Sequence, residues 1–584
     1  MTGASGASVA GSPLPKWQLA LAVAAPVALG LGYMYFKNSK PSSKPSRGKS
    51  KNNLKKNGAP SADKQISIDI DSPPKSTGEP EVRNILNTPL EKALRLKNEG
   101  NEQFKIGKYD EAISHYNSAI EACPEENTAA LATFYQNRAA AYEQLKKYSS
   151  VKADCTQALE LNPKYVKALI RRARAMEYCN ELESALENIT AACILENFSN
   201  QNAMLMADRV LKQLGRQHAT QYLANKKLVM PSKYFIKTYI ITFHKDPVFS
   251  MLQDTDYSDI SPGFAKALQC VKEQKYDDVI PICTEEINSS DPDTLPHKMK
   301  VLLLRATFYL LLGQHDASIQ DFGTIIDNDS VPKAIKVNAL IKRATLFMQL
   351  ENPDKSFSDF ETAAELDPEC GDVYHHRGHV NLLMDKIDKA REDFTKAVEF
   401  NPNFGVAYVQ KCYADYRYGT MIRSKEIMEK AMKDFEAAFE KFPDCPECYT
   451  LYAQMLTEIQ EYQRADIYFA KAIEKDPNNA TVYVHRGLLQ LQWHGNVEKA
   501  IEYINKALEM DDKCEYGYET LGTIEVQRGN VEEAIKLFDK ALALGRTSME
   551  LSHLFSLRDA AKIRLTVKER LGLDVITNFH NILS

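Results

Sequence analysis

No apparatus for catalysis is written into this sequence. It has no glycine-rich nucleotide loop, no nucleophile motif and no paired carboxylate site, so the chain is not expected to be an enzyme. Charge of one sign is also lacking. A formal net charge of -5 over 584 residues leaves out the broad basic footprint of a nucleic-acid binder. A disulfide framework is missing as well. The 11 cysteines are odd in number and scattered, which fits reduced thiols in a cytosolic setting. One Cys-x-x-Cys runs from Cys445 to Cys448. No second pair stands at zinc-finger spacing, so no metal site is expected there. No cofactor is expected either.

A further absence is informative. Residues 19–36 contain no charge at all. As a helix they span roughly 27 Å at 1.5 Å per residue, just enough for a bilayer core. Trp17 stands at one edge and Tyr33 and Tyr35 at the other, where interfacial aromatics collect. A single-pass transmembrane helix is therefore predicted over 17–36, with 1–16 as a short non-cytosolic tail. Lys37, Lys40, Lys44, Arg47, Lys49, Lys51, Lys55 and Lys56 follow, and no acid appears until Asp63. That asymmetry holds the C-terminal side in the cytosol. A cleaved signal peptide would instead carry its basic residues ahead of the apolar run. Residues 37–88 are rich in Ser, Pro, Lys and Gly and are predicted to form a disordered basic tether. A short anchor with a basic C-flank fits signal-anchored proteins of the mitochondrial outer membrane, and leaves the endoplasmic reticulum open.

What the rest of the chain does have is a period. Pro368 and Pro402 lie 34 residues apart, as do Pro443 and Pro477. Between them stand Tyr374, Gly378, Ala390, Phe394 and Ala397, and later Tyr449, Ala453, Ala465, Phe469 and Ala472. An early copy reads Leu96, Gly100, Phe104, Ala112, Tyr116, Ala119, Pro124. Small residues at fixed offsets let two antiparallel helices approach, aromatics fill the space between, and proline ends the second helix. The pattern resembles the tetratricopeptide repeat. It predicts an all-α superhelix of about eleven repeats in two blocks: 89–197 with three repeats, a connector over 198–261, and 262–584 with about eight repeats and a terminal helical cap from Glu550. The connector run 234–243 is expected to be helical from its context. One repeat is long, since Pro402 to Pro443 is 41 residues, and the extra residues fall near Gly419 to Glu429. Arrays of this kind bind peptides along an inner face.

In the first block, the helix-A frames starting at Ala93, Ala132 and Val166 place five donors toward one groove: Lys97, Asn101, Asn137, Lys167 and Arg171. Lys97 and Asn101 are spaced i, i+4, and so are Lys167 and Arg171, so each pair shares a face. Three cations and two amides suit a peptide ending in Asp, whose last residue presents two carboxylates. The set matches the carboxylate clamp of co-chaperones that hold acidic Glu-Glu-Val-Asp tails. Arg172 and Arg174 are adjacent and read as solvated surface.

The same helix-A positions of the second block give Lys342, His375, His376, His379, Gln410, Tyr413, Gln454 and His485, interspersed with Ile341, Val409, Leu451, Val484 and Leu488. This mixed wall has no second convergent basic set. It suits an amphipathic or apolar peptide, a preprotein groove rather than a second clamp. His375 and His379 share a face, but no third ligand is apparent, so a metal is not expected.

Anchor, tether, three clamp repeats, connector and about eight repeats: this order resembles the seventy-kilodalton-class receptor of the mitochondrial outer-membrane translocase. Local segments are similar to animal members, including those starting at Trp17, Met230, Leu303, Tyr374 and Gly522. The resemblance implies a mitochondrial outer-membrane receptor with the bulk of the chain facing the cytosol. Its implied partners are cytosolic seventy- and ninety-kilodalton heat-shock chaperones, preproteins with internal signals such as metabolite carriers, and translocase subunits that form the import pore. The alternative is a chaperone-binding adaptor or scaffold at another membrane, such as the endoplasmic reticulum.

Overall fold

The computed structural model describes residues 88–253, 259–289 and 297–572. The expected tail, anchor and nearly all of the tether lie outside them. Among the described residues no helix is long and apolar enough to cross a membrane, and every regular element is helical.

The chain folds as two compact units, residues 88–214 with 559–572, and residues 215–558. The first holds three helix pairs: α1 (Pro89–Lys105) with α2 (Tyr109–Ala122), α3 (Thr128–Gln144) with α4 (Tyr148–Leu161), and α5 (Val166–Tyr178) with α6 (Leu182–Leu195). Helix α7 (Gln201–Asn225) begins in this unit, and α8 (Lys233–Ile241) belongs to the second. Eight pairs follow: α9 (Pro262–Lys272) and α10 (Val279–Ser289); α11 (Lys298–Leu312) and α12 (His315–Ile326); α13 (Lys333–Gln349) and α14 (Pro353–Leu366); α15 (Gly371–Leu383) and α16 (Ile387–Phe400). Then come α17 (Gly405–Ile422) and α18 (Lys425–Lys441); α19 (Pro446–Glu458) and α20 (Tyr462–Lys475); α21 (Ala480–His494) and α22 (Val497–Met510); α23 (Glu515–Arg528) and α24 (Val531–Leu544). Helix α25 (Ser548–Leu571) is the last. The long repeat takes up its extra residues in α17 and α18, which run to 18 and 17 residues.

Three local devices recur. Helix α1 starts on a capping box, in which Thr88 accepts from the Glu91 N–H and Glu91 accepts from the Thr88 N–H, satisfying two donors that a helix start leaves open. Each turn from first to second helix of a repeat contains one residue in the left-handed region, from Gly107 and Lys146 through Gly313 and Asp385 to Gly529. Only four of these 11 are glycine, so most of the turns carry no glycine signal in the sequence. The third device is a 16-residue offset between the two helices of a repeat. A Cβ on Gly100 would lie 2.7 Å from the Tyr116 ring, and one on Gly522 would lie 2.8 Å from Phe538. At the same offset Arg138 pairs with Asp154, Arg305 with Asp321, Arg343 with Asp359 and Arg377 with Asp393, at 2.6 to 2.8 Å. These half-buried bidentate rungs fix helix register within the repeat.

Arg172 follows the same rule rather than the expected solvated one. It donates to Asn188, 16 residues on, at 2.6 Å and to Thr156 at 3.2 Å. Helix α25 also departs from expectation. A solvating end cap should present polar residues outward. Instead Ile563, Val567 and Leu571 join the core of the first unit with Leu169, Ile189 and Val210. Lys562 and Arg570 lie 3.6 Å from Glu183 and Glu187. Spacing of i, i+4 and i+8 gives these three apolar residues one face, and that face needs a partner.

Candidate functional site

In the first unit three of the five expected donors, Asn101, Asn137 and Arg171, meet in one polar network. Asn101 on α1 accepts from the Tyr116 hydroxyl at 2.8 Å and from the Asn137 amide at 3.2 Å. Gln136, next to Asn137 on α3, accepts a short hydrogen bond from the Arg171 guanidinium of α5. Lys97 is buried one turn before Asn101, and Lys167 is half-buried one turn before Arg171. Four of the five expected residues are buried, as Arg171 is with 7% exposure. Buried polar groups of this kind are held in place by their hydrogen bonds.

Sequence reasoning missed Glu143. Its carboxylate accepts from Arg171 at 2.8 Å and from Arg174 at 3.2 Å. Arg174 therefore belongs to the network rather than to bulk surface. Glu143 lies on α3 about two turns beyond Gln136, and its place on the inner side could have been read from the same helix frame. It orients Arg171 and also partly neutralises it.

In the second unit the expected groove wall is largely covered. Lys342 is 0% exposed. It donates to Asp246 at 2.7 Å and to Thr307 at 3.1 Å, with the Phe243 and Phe249 rings within 5.0 Å of its ammonium. It is a paired core lysine, not an open groove donor, because the connector brings a carboxylate to it. His376 lies under Phe243, ring centroids 4.3 Å apart. His375 is buried between His379, at 4.7 Å, and Phe404, at 5.2 Å. His379 is half-buried against Phe394. Tyr413 is buried and accepts from Arg417 at 3.0 Å. His485 sits between Phe469 and Tyr516. Gln410 and Gln454 are buried, and the side-chain oxygen of each has no hydrogen-bond partner. Among the described residues no group of three His, Cys, Asp or Glu side chains gathers as a metal would need.

Burial, with His379 and Lys342 adding charge repulsion, holds His376 down from 6.5 to about 3. The unfolded chain takes up a proton near 6.5 that the folded chain refuses until about 3. Stability is therefore lost as pH falls through that window. By about pH 5 this one imidazole should cost about 2 kcal/mol. His376→Phe keeps a ring under Phe243, and the variant should lose correspondingly less stability on acidification. Urea midpoints at neutral and mildly acid pH measure this, and equal acid sensitivity of the two proteins would refute it.

These features define a class: a tetratricopeptide-repeat protein whose inner helices carry polar, cation-bearing networks. The tetratricopeptide repeat pattern matches residues 98–126, 132–165, 371–404 and 446–479 in one form and 488–548 in another. The mitochondrial import receptor subunit TOM70 of Homo sapiens is 42% identical over 576 residues, covering 96% of this chain and 93% of that one. The TOM70 subunit of Saccharomyces cerevisiae is 25% identical over 543 residues, covering 85% and 84%. The crystal structure of yeast Tom70 aligns with a TM-score of 0.45 at 23% identity, over 82% of this chain and 98% of that one. The chain belongs to the TOM70 family of mitochondrial import receptor subunits.

Proposed function

We propose that this import receptor captures cytosolic heat-shock chaperones by their acidic C-terminal tails and passes the preproteins they carry to its second unit. The observation that supports tail capture is the network joining Asn101, Asn137, Gln136 and Arg171 across α1, α3 and α5, with Lys97 and Lys167 on the same helices. A terminal Asp offers two carboxylates to this set, and charge-assisted hydrogen bonds contribute about 1.5–3 kcal/mol each. A few of them reach micromolar affinity, about -8 kcal/mol. Docking raises the local concentration of the carried client beside the second unit. The clients are preproteins with internal signals, such as metabolite carriers, and translocase subunits receive them at the mitochondrial outer membrane. The anchor over 17–36 and its basic flank hold the repeats on the cytosolic side.

A peptide ending in Glu-Glu-Val-Asp should bind the full chain with micromolar affinity, while its C-terminal amide should not. Equal binding of both, or none, removes the clamp. An unfolded carrier precursor should crosslink to the second unit. A receptor that crosslinks nothing there is a scaffold.

A further inference from the structure

The hydrogen bonds and ion pairs of the connector run along the second unit in counter-order, while the Phe235 ring lies outside that order, 4.2 Å from the Arg546 guanidinium. Lys226 donates to the Leu542 carbonyl at 2.8 Å, and the Met230 carbonyl accepts from Lys513 at 3.0 Å. The Ser232 hydroxyl bonds Asp511. The Tyr234 hydroxyl donates to Asp476 at 3.0 Å. Lys237 lies within electrostatic reach of Glu447. The His244 and Lys245 N–H groups donate to Asp372, each at 3.1 Å. Asp246 then meets Lys342, and Met251 meets Lys300. As the connector number rises from 226 to 251, the partner number falls from 542 to 300. Four carboxylates from three repeats receive the stretch between 232 and 245: Asp511 at the end of α22, Asp476 and Glu447 at the two ends of the α19–α20 pair, and Asp372 at the start of α15. Ile236, Tyr239 and Phe243 are buried in the same core as the inner helices α11 and α13.

A short helix and the turn after it, lying antiparallel to a stack of repeats with polar contacts along its length and apolar side chains turned inward, are bound as an amphipathic peptide ligand is bound. We infer that residues 232–245 are a built-in occupant of the second unit's inner wall, and that the clients which replace them are basic, aromatic-rich amphipathic segments. This rests on the reading of the second unit as the client-receiving one. The chemistry of the occupant sets the class: Lys233, Tyr234, Phe235, Lys237, Tyr239, Phe243 and Lys245 are cations and rings, and no acid occurs between 232 and 245. The wall supplies the complement in Asp372, Glu447, Asp476 and Asp511. Burial raises three of these, Asp372, Glu447 and Asp511, above the usual carboxylate range, so each gains from a donor or cation brought to it. Residues 246–249 are the fixed end. Asp246 is locked to Lys342 and accepts the Val248 and Phe249 N–H groups at 2.8 and 2.9 Å.

Intramolecular attachment gives the occupant a high effective concentration, so a free copy of it should bind the intact chain poorly. The test compares the full chain with Tyr234→Phe/Phe243→Ala, which removes the Asp476 hydrogen bond and the stacking on His376. The probe is a labelled peptide copying residues 232–249. Its charge-inverted form carries Lys233→Glu, Lys237→Glu and Lys245→Glu. The loosened chain should bind the copy about a hundredfold more tightly than the unsubstituted chain. Its amides over 233–245 should exchange faster, and the charge-inverted copy should not bind. Trp493 fluorescence reports whether the second unit stays folded, and Tyr234→Phe alone, with a smaller gain, serves if the double variant unfolds.

The occupant idea is overturned by equal binding to both chains, by equal binding of both copies, or by a loosened segment that exchanges fast yet leaves the copy unbound. A segment that stays as protected as before is permanent core and overturns it too. If any of these occurs while a carrier precursor still crosslinks to the second unit, the occupant falls and the receptor reading stands. If the precursor also fails to crosslink, both fall.

Discussion

Asp246→Asn should destabilise the second unit by about 3–5 kcal/mol. The change keeps an acceptor for the Val248 and Phe249 N–H groups but removes the countercharge of Lys342, which has no exposure to water. Burial already pushes the Lys342 ammonium below its ordinary range, and Asp246 opposes that push. Without the carboxylate, the lysine must either hold an unpaired charge in the core or lose its proton, and both cost free energy. Asp246→Asn/Lys342→Met removes the charge problem and should recover most of the loss, since a packed apolar side chain replaces a buried ion well. Unfolding in urea followed by Trp493, the one tryptophan among the described residues, checks both variants. A single variant with an unchanged midpoint, or a double variant no better than the single, would show that this pair does not hold the connector.

Arg171→Ala should weaken binding of a Glu-Glu-Val-Asp peptide by about a hundredfold or more, because truncating one partner of a buried, hydrogen-bonded charge pair costs about 2–5 kcal/mol. The structure adds a second expectation. Glu143 already occupies the Arg171 guanidinium at 2.8 Å and stands as a like charge to the arriving carboxylate. Glu143→Gln keeps an acceptor for Arg171 and removes the competing charge, so the peptide should bind about tenfold more tightly, equivalent to one charge-assisted hydrogen bond. The gain should shrink as salt rises. Titration of the two variants beside the unsubstituted chain, with circular dichroism to confirm helicity, decides the matter. Binding of Arg171→Ala at full strength removes the clamp, and weaker binding by Glu143→Gln would mean that Glu143 matters for orienting Arg171 more than for competing with the ligand.

The repeat architecture was legible from spacing. Tyr374, Gly378, Phe394 and Pro402 alone mark two antiparallel helices, because a glycine facing an aromatic 16 residues on is a demand of close helix packing. The helix-A frame likewise gathered Asn101, Asn137 and Arg171, which the fold does join into one network through Gln136. Both successes are local. They depend on helical periodicity, which every repeat restates in its own residues. The same logic could have found the Arg–Asp rungs, whose two members sit at one fixed offset inside each repeat.

What spacing did not supply lay in contacts between residues far apart in sequence. Lys342, His376 and Tyr413 occupy inner-face positions, and the frame gave them an open groove. The structure gives Lys342 and His376 a cover from the connector, where Asp246 and Phe243 lie on them. Nothing periodic in residues 226–251 announces where they dock, because each rung is a single long-range contact. The end of α25 shows the same limit. Ile563, Val567 and Leu571 reveal an apolar face in the sequence, but not that Leu169 and Ile189 would cover it. By itself the sequence determined the period, the helix pairs and the donors that each inner face carries. Tertiary structure alone decided which of those faces are already filled, since burial depends on which distant segment arrives and not on the residue that receives it.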